Sequence, residues 1–302
     1  MSDSFVFRRA RAADETAVCA LSALIWEGSD YAGDSFGAWL ADEMGQFTVV
    51  YDGERLAAFG KLSCLSPGEW WLEGLRVHPD YQGRGLARRL HDYALNLADE
   101  MGSGTLRFST ASTTPATHRL AETTGFARTQ VRLWAGLDRE GLDQAGVERA
   151  ESAVPVAPMG SFVPVASAEL PTFTNQLTQS DQFTASSGLF EHDWKLWLIL
   201  PRLEQFQAEQ RLFWWLRAGQ PAGLVIRTLT ERSASLSYFQ ADPADWSHLL
   251  EEARRWLLAT GAAEIRTKPP KSATVKAALL AAGWMVDEEI ELWGYERPLR
   301  GA

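Results

Sequence analysis

The chain has 302 residues, of which 46% are hydrophobic and 23% are charged, and it contains 13 tryptophans. This length and composition suit two globular domains and exclude a largely disordered chain, which would be poor in aromatic residues. The formal net charge of -10 argues against non-specific binding to nucleic acid, because such binding needs clustered Lys and Arg.

Cysteine usage and the N-terminal sequence bear on the cellular compartment. The two cysteines, Cys19 and Cys64, show no metal-binding spacing, and we expect both to be core residues in a reduced compartment. The N-terminal stretch lacks a signal-peptide pattern, and no apolar run approaches the ~20 residues of a membrane span. We therefore expect a cytoplasmic protein without a metal and without a membrane or nucleic-acid partner.

The first half of the chain alternates strand and helix patterns. Asp52 and Gly53 join two strand patterns as a hairpin turn, since this pair tolerates positive φ. Leu86, Leu90 and Leu97 recur at helical spacing. The patterns predict strands over 5–9, 46–51, 55–61, 69–77, 105–110 and 131–137, and helices over 14–26, 35–44 and 115–123, with a further helix that opens inside 82–87.

The periodicity stops between about residues 139 and 160, where Pro155 and Pro158 stand among small residues. This composition is typical of a linker. We therefore predict a first domain over residues 1–138, a linker over 139–159 and a second domain over 160–302.

The second half repeats the order of the first. Its predicted strands cover 162–166, 211–217, 222–228, 236–240 and 264–267, and its predicted helices cover 246–259 and 273–281. The second of these helices ends in Gly283-Trp284, as the corresponding helix of the first half ends in Gly125-Phe126. The order indicates an internal duplication and an α/β fold (α+β, with a mixed central sheet).

One loop has the features of an anion-binding site. A strand that ends at Val77 leads through His78-Pro79 into a helix that opens within Gln82-Gly83-Arg84-Gly85-Leu86-Ala87. The first backbone N–H groups of a helix lack intrahelical partners, and the helix dipole adds positive charge there. Glycines allow a ligand to approach the backbone closely, and Arg84, Arg88 and Arg89 add positive charge.

The run EGLRVHPDYQGRGLARRL resembles motif A of the GNAT acetyltransferases, with Gln82, Gly85 and Ala87 at the motif positions and V-x-P before them. The resemblance covers roughly residues 5 to 137 and implies two tandem GNAT-like acyl-CoA N-acyltransferase domains and an acetyl-CoA (CoA) cofactor. It further implies that backbone amides from Gly83 to Ala87 hold the pyrophosphate, while the backbone of Leu75 and Val77 pairs with the pantetheine arm. The cofactor-binding residues implied in this way are Leu75, Arg76, Val77, Gln82, Gly83, Arg84, Gly85, Leu86, Ala87, Arg88 and Thr114.

An amine attacks a thioester only in its neutral form, so a general base is useful near the acyl group. Glu73 is the candidate, because it lies four residues before Val77 and shares a strand face with Leu75 and Val77. Several GNATs that acetylate amines similarly carry a glutamate on this strand. Glu69 has the same parity and competes for the role.

The residues at the family's usual general-acid positions differ in this chain. Many GNATs have a Tyr four residues before the Gly-aromatic turn and an Asn at the start of the preceding helix. Here Ala121 and Thr114 stand at those two positions. Alanine cannot donate a proton, so either another residue protonates the departing thiolate or the thiolate leaves unassisted. Tyr81, His118 and Tyr31 are alternative donors.

The acceptor region is acidic. Residues 12–54 contain no Lys or Arg, and a patch of one sign steers ligands of the opposite sign. This favours a small cationic amine acceptor, although the carboxylates could serve only solubility. Four aromatic residues of this span either line a pocket or pack in the core: Trp26, Tyr31, Phe36 and Trp39. The carboxylates are Asp14, Glu15, Glu27, Asp30, Asp34, Asp42, Glu43, Asp52 and Glu54.

The second half has no counterpart of the glycine loop. The stretch ADPADWSHLLEEARRW has no paired glycines, and its acidic residues Asp242, Asp245, Glu251 and Glu252 would repel a pyrophosphate. We expect the second domain to keep the fold without the cofactor, and to complete the acceptor pocket, dock on the first domain or mediate a homodimer.

Three functions remain open from the sequence. The leading one is direct acetyl transfer from acetyl-CoA to an amine with Glu73 as the base. The alternative is a non-catalytic acyl-CoA sensor or interaction module. A different nucleotide binder is a third, but the loop lacks the Lys-Ser/Thr ending of a P-loop.

Overall fold

A computed structural model describes residues 5–137 and 160–300 of the chain. The chain divides into two compact units. The first unit comprises Met1–Phe108, Ala116–Ala127 and Tyr295–Ala302, and the second comprises Ser109–Pro115 and Arg128–Gly294. The domain ranges predicted above are continuous in sequence. The units are not, because the first includes Tyr295–Ala302 and the second includes Ser109–Pro115. The predicted linker over 139–159 lies outside the described residues.

The first unit contains five strands in the order β1-β2-β3-β4-β5. Neighbouring strands are antiparallel except for β4 and β5, which are parallel. The strands are β1 (Phe5–Arg9), β2 (Gln46–Asp52), β3 (Arg55–Ser66), β4 (Glu69–Val77) and β5 (Thr105–Ala111), and the helices are α1 (Glu15–Ser22), α2 (Phe36–Ala41), α3 (Leu86–Met101) and α4 (Pro115–Thr123). The last residues of β5 and the first residue of α4 belong to the second unit.

Helix α3 is the amphipathic helix that the spacing predicts. Leu86, Leu90 and Leu95 are buried, and the first two pack with the β2 and β3 residues Val50 and Ala57. The predicted helix over 14–26 is shorter than expected. It ends at Ser22, and Ile25 is already extended, with a φ of -101° and a ψ of 135°, so the helix cannot continue to Trp26.

Strands β4 and β5 pair only at their beginnings. Glu69–Trp71 of β4 lie beside Thr105–Arg107 of β5, and the pairing ends there. From Leu72 to Val77, β4 therefore presents an edge without a β5 partner, which we call the open edge of β4. A bulge against Gly60 interrupts the β3 and β4 register near Gly74. Glu73 pairs with Lys61 and Arg76 with Phe59, so these two β4 residues share a face, and the prediction that Glu73 shares its face with Leu75 and Val77 is wrong.

The backbone conformation and the packing at Gly74 leave no room for a side chain. Its φ is +64°, and a Cβ there would lie 2.3 Å from an indole carbon of Trp39, which is buried. We expect Gly74→Ala to lower the free energy of unfolding by about 2–4 kcal/mol, since it combines backbone strain with overpacking. Gly53→Ala is the control, because Gly53 has a φ of +60° with nothing within 4 Å of its Cβ position. Equal losses for both variants in urea titrations would contradict the packing argument.

His91 gives the first unit a pH-dependent stability. It is buried against Phe108 and Phe126, and burial lowers its pKa to about 4. As pH falls below about 6.5, the unfolded state takes up the proton first, so stability decreases between pH 6.5 and pH 4. We expect a loss of roughly 3 kcal/mol over this range. The His91→Gln variant should lack this slope in denaturant titrations at several pH values, and an unchanged slope would assign the dependence to other groups.

The second unit contains six strands in the order β6-β13-β12-β11-β10-β7 and a separate β8-β9 hairpin. The strands of this sheet and hairpin are β6 (Ala127–Leu137), β7 (Gly160–Pro164), β8 (Leu189–His192), β9 (Lys195–Leu198), β10 (Leu212–Arg217), β11 (Gln220–Leu229), β12 (Ser233–Ala241) and β13 (Glu264–Thr267). A further strand, β14 (Met285–Pro298), lies partly in the second unit. The helices are α5 (Leu170–Thr178), α6 (Asp181–Ala185), α7 (Leu203–Ala208), α8 (Trp246–Leu258) and α9 (Ala273–Ala281). Strand β14 enters the first unit at Tyr295, and β6 begins the second-unit sheet beside β13.

The two units repeat one arrangement. Strands β12 and β13 are parallel over three residues only, Ser233–Ser235 beside Glu264–Arg266, as β4 and β5 are in the first unit. The predicted α/β fold with mixed sheets is therefore confirmed. The elements between residues 167 and 210, including the β8-β9 hairpin, were not predicted.

Two further expectations concern the cysteines and the membrane. The prediction of buried cysteines is wrong for Cys19, which is exposed, while Cys64 is half-buried. Within residues 5–137 and 160–300, we find no helix whose length and apolar character would allow it to cross a bilayer.

Candidate functional site

The loop Gln82–Ala87 opens helix α3 without a side-chain cap. Gly85 is the N-cap residue, and both it and Gly83 have a φ of 75°. Nothing lies within 4 Å of a Cβ built on either glycine, so their outer side is open. The first helical hydrogen bond runs from Arg89 N to Gly85 O at 3.1 Å, so the N–H groups of Leu86, Ala87 and Arg88 precede the helical bonding. The loop therefore has the features of an anion site at a helix N-terminus.

The three arginines of this loop have different surroundings. Arg84 is exposed, and its guanidinium lies 5.3 Å from the ring centroid of Tyr81. Arg88 donates to both carboxylate oxygens of Asp92 and to Thr123. Arg89 lies over the ring of Phe5 at 4.9 Å. Arg84 is therefore the arginine whose charge is best placed to meet an anion on the loop.

The open edge of β4 leads to this loop. His78 N donates to Ala57 O of β3 at 2.9 Å, and the alternation of backbone groups along a strand then directs those of Val77 to the opposite, open side. Consistent with this, Val77 O accepts a hydrogen bond from the Gln82 side chain at 3.3 Å. Leu75 O accepts from the Arg76 guanidinium at 3.1 Å. An extended ligand could pair with this edge as an added strand would.

Glu73 lies on β4, within the stretch that forms the open edge. It is half-buried, and its Oε1 accepts a hydrogen bond from the Ser63 hydroxyl at 2.9 Å. It stands opposite Lys61 of β3, whose buried ammonium pairs with Asp42 and donates to Leu62 O. Ser63 thus fixes the orientation of a carboxylate that solvent can reach.

The competing glutamate has a structural environment. Glu69 is fully buried, accepts from the Ser66 hydroxyl at 2.8 Å and lies 3.7 Å from a guanidinium nitrogen of Arg107. Arg107 also pairs with Glu296 at 3.0 Å. A carboxylate enclosed in this way cannot receive a proton from a substrate, so the geometry favours Glu73 as the base.

The Arg76 side chain is held by groups of the protein itself, among them Leu75 O. Its guanidinium pairs with both carboxylate oxygens of Asp30, at 2.7 and 3.1 Å, and lies 4.3 Å from the ring centroid of Trp26. The carboxylate of Asp30 is fully buried and also accepts from Ser22 at 3.0 Å. The side chain of Arg76 thus organises the segment between α1 and α2.

The candidate proton donors have identifiable partners. Tyr81 is buried and donates to Asp52 at 3.2 Å, and burial raises its pKa. Desolvation of its hydroxyl raises the pKa of Tyr31 to about 12, although the residue as a whole is 41% exposed. His118 Nδ1 lies 2.9 Å from the hydroxyl of Tyr295, a residue of β14 in the first unit.

The local sequence does not identify Tyr295 as the partner of His118, a candidate proton donor. Tyr295 is buried and stacks on Phe108 at 5.1 Å, while Ala121, one turn of α4 after His118, is fully buried. Tyr295 lies 177 residues from His118 in sequence, so no local pattern indicates that the two side chains meet.

The acidic span of the first unit divides into two groups. Four carboxylates are bound internally: Asp14 by Arg8, Asp30 by Arg76, Asp42 by Lys61 and Asp52 by Tyr81. The Arg8 guanidinium lowers the pKa of Asp14 to about 2. Five carboxylates are exposed and remain available to steer a cation: Glu15, Glu27, Asp34, Glu43 and Glu54.

Thr114 is part of the second unit. Its hydroxyl donates to Ala111 O at 2.7 Å and lies 2.7 Å from the Thr110 hydroxyl. These contacts close the turn before α4. Within the described residues, no group of three or more His, Cys, Asp or Glu side chains could hold a metal ion.

The second unit shows what replaces the glycine loop. In both units a Pro-containing 3-10 turn follows the strand, and the residue before the proline accepts a backbone hydrogen bond two residues on: His78 from Asp80 and Asp242 from Ala244. In the first unit, Gln82–Gly85 then separate this turn from α3. In the second unit, α8 begins directly at Trp246 with Asp245 as its N-cap residue. The four loop residues are thus absent from the second unit.

The second unit also differs from the first at the position of Glu73 and between its two parallel strands. Aligned at their strand ends, Glu73 of β4 corresponds to Ser237 of β12, which bonds Thr228 at 2.8 Å. Beside β12, Thr267 donates to Leu236 O at 2.7 Å, and the buried Lys268 ammonium pairs with Glu191 of β8 at 2.7 Å. The gap between β12 and β13 is thus occupied by the chain's own side chains.

Comparison with known proteins shows a family match for part of the chain and a shared fold for the rest. Residues 14–126 match the model of the Acetyltransferase (GNAT) family. No curated protein matches the chain in sequence. A GCN5-related N-acetyltransferase from Sphaerobacter thermophilus has a similar structure, with a TM-score of 0.68 at 14% identity over 99% of this chain and 97% of that one. A tandem GNAT protein from the clavulanic acid biosynthesis pathway gives 0.58 at 16% identity over 99% and 100% of the two chains.

These similarities extend across both halves of the chain, so the tandem fold that the sequence predicts is confirmed. Proteins of the GNAT family use acyl-CoA and transfer acyl groups. Residues 14–126 therefore match the GNAT acetyltransferase family in sequence, and the fold of the chain is similar to that of tandem GNAT proteins.

Proposed function

We propose that the chain is an N-acetyltransferase that moves the acetyl group of acetyl-CoA to a primary amine of a small cationic acceptor. The observation that carries this proposal is the position of Glu73 on β4, the strand whose open edge leads to the uncapped glycine loop Gln82–Ala87. The loop and the base thus lie at opposite ends of one extended binding edge.

The residues present fit a CoA pyrophosphate and pantetheine. Open space above Gly83 and Gly85, the N–H groups of the first turn of α3 and the charge of Arg84 suit the pyrophosphate. The backbone of Leu75 and Val77 would hold the pantetheine arm along the open edge. When bound, acetyl-CoA supplies a thioester whose acyl carbon is open to attack.

Glu73 would prepare the amine. A protonated acceptor amine is attracted to the carboxylate, which accepts its proton and leaves the nitrogen lone pair available. The hydrogen bond from Ser63 keeps the carboxylate oriented throughout. The five exposed carboxylates of the acidic span would raise the local concentration of a cation.

The second unit would not bind CoA, because it lacks the four loop residues and has Ser237 at the position of Glu73. We propose that it serves the acceptor pocket or a homodimer. One acyl-CoA per chain is the resulting stoichiometry.

The test is to incubate the chain with acetyl-CoA and a panel of primary amines and to measure free thiol and the mass of each amine. We expect release of free thiol together with a mass increase of ~42 Da in at least one amine, because an acetyl group replaces one N–H hydrogen. CoA binding without acetylation of any amine in the panel would instead favour a non-catalytic acyl-CoA sensor. Binding of a nucleoside phosphate in place of CoA would overturn both.

A further inference from the structure

We infer that the acceptor carries a planar apolar group close to its amine, and that Trp26 and Tyr31 bind this group. The inference rests on the proposed acyl transfer and narrows its substrate class to arylalkylamines. Trp26 is 60% exposed and Tyr31 is 41% exposed, whereas Phe36 and Trp39 of the same span are buried. Neighbouring exposed aromatic rings mark binding surfaces more often than isolated ones do.

Both rings rest on one guanidinium. The centre of the Arg76 guanidinium lies 4.3 Å from the ring centroid of Trp26 and 5.6 Å from that of Tyr31. Arg76 is itself held by the buried carboxylate of Asp30, which Ser22 also binds. The rings are therefore fixed before any ligand arrives, which reduces the entropy lost on binding.

The backbone at Trp26 is strained. Trp26, Glu27 and Gly28 have consecutive positive φ values of 46°, 56° and 87°. Hydrogen bonds to Trp26 O from the N–H and the hydroxyl of Ser29, at 3.0 and 2.7 Å, hold this turn. Non-glycine residues in this region are uncommon and are concentrated at functional sites. Stacking on Arg76 uses one face of the indole, so the large exposed area leaves the other face for a ligand.

The aromatic surface begins beside the proposed base. Tyr31 packs edge-on against Trp39 at 5.9 Å, and Trp39 lies against Gly74, the residue after Glu73. The charges of Arg76 and Glu73 both act on the Tyr31 hydroxyl and shift its pKa in opposite directions. An acceptor could thus place its amine at Glu73 and its flat group on Tyr31 and Trp26.

Three amines serve as probes. 2-Phenylethylamine carries a planar apolar ring, 2-cyclohexylethylamine carries an apolar ring that is not planar, and 1,4-diaminobutane carries charge without a ring. We expect 2-phenylethylamine to be the best of the three substrates. Trp26→Ala and Trp26→Leu should lower its kcat/KM by about tenfold, mainly through KM, and change that of 1,4-diaminobutane less than about twofold. Trp26→Phe should stay near the wild type. Met44→Ala is the control, because Met44 is 65% exposed and apolar but lies outside this surface.

Calorimetric binding of the three amines to the CoA-bound chain gives a readout that does not depend on turnover. Preferred binding of 2-phenylethylamine that is lost in Trp26→Leu supports the inference, even if no amine is acetylated and the proposed function fails. No preference among the amines, or an equal loss for all three in the Trp26 variants, would overturn the inference while leaving acetyl transfer intact.

Discussion

Glu73→Gln is expected to lower kcat for amine acetylation by about a hundredfold or more at neutral pH, while CoA binding stays within a factor of about two. The side chain keeps its shape and can still bond Ser63, but it can no longer take a proton from the ammonium form of the acceptor. The residual rate should rise about tenfold per pH unit, because the fraction of neutral amine rises in this way below the amine pKa.

Two variants control for charge and for environment. Glu43→Gln removes an exposed carboxylate of the acidic span and should change kcat/KM only slightly. Glu69→Gln alters the buried ion pair with Arg107 and should lower stability without changing the pH profile of the remaining activity. A Glu73→Gln enzyme with the wild-type rate and pH profile would show that the base is another group.

Gly85→Ala is expected to weaken CoA binding by about 10- to 100-fold, since each hydrogen bond lost from a charged ligand costs roughly 1.5–3 kcal/mol. The new methyl group would project into the open space above the loop, and the positive φ would favour a shifted backbone. Calorimetric titration with CoA measures the effect directly.

Gly219→Ala is a closely matched control for this variant. Gly219 has a φ of +76°, against +75° for Gly85, and nothing lies within 4 Å of either Cβ position. The two variants should therefore lose similar amounts of stability, about 1 kcal/mol each, whereas only Gly85→Ala should bind CoA poorly. A parallel loss of CoA affinity in both would mean that the loop glycine acts through stability alone.

Local patterns in the sequence were sufficient for most of the fold. Strand β4 and helix α4 have the bounds that the pattern predicts, because alternation, proline and glycine signals act within a few residues. The β8-β9 hairpin was missed, since its short strands, Leu189–His192 and Lys195–Leu198, turn through the left-handed residues Asp193 and Trp194 rather than through a glycine.

Contacts between distant parts of the chain could not be read in this way. Tyr295–Ala302 belong to the first unit although they lie at the end of the chain, and this depends on pairing between strands that are far apart in sequence. For the same reason, the nine carboxylates of residues 12–54 looked equivalent, whereas Asp14, Asp30, Asp42 and Asp52 have internal partners.

The candidate site was predictable to different degrees. The loop Gln82–Ala87 stands out because helix N-termini and glycine conformations are local properties. The choice of Glu73 over Glu69 needed the structure, which shows Glu69 fully buried beside Arg107. Arg76 carries over from the resemblance as a cofactor residue, yet its side chain is bound to Asp30 and supports Trp26.

The central claim is that the first unit holds one acyl-CoA per chain and the second unit holds none. Calorimetric titration of the full chain with CoA measures this stoichiometry directly. We predict a single class of sites with one CoA bound per chain. A stoichiometry of two, or no binding at about 1 mM CoA, the upper end of usual enzyme KM values, would contradict the account.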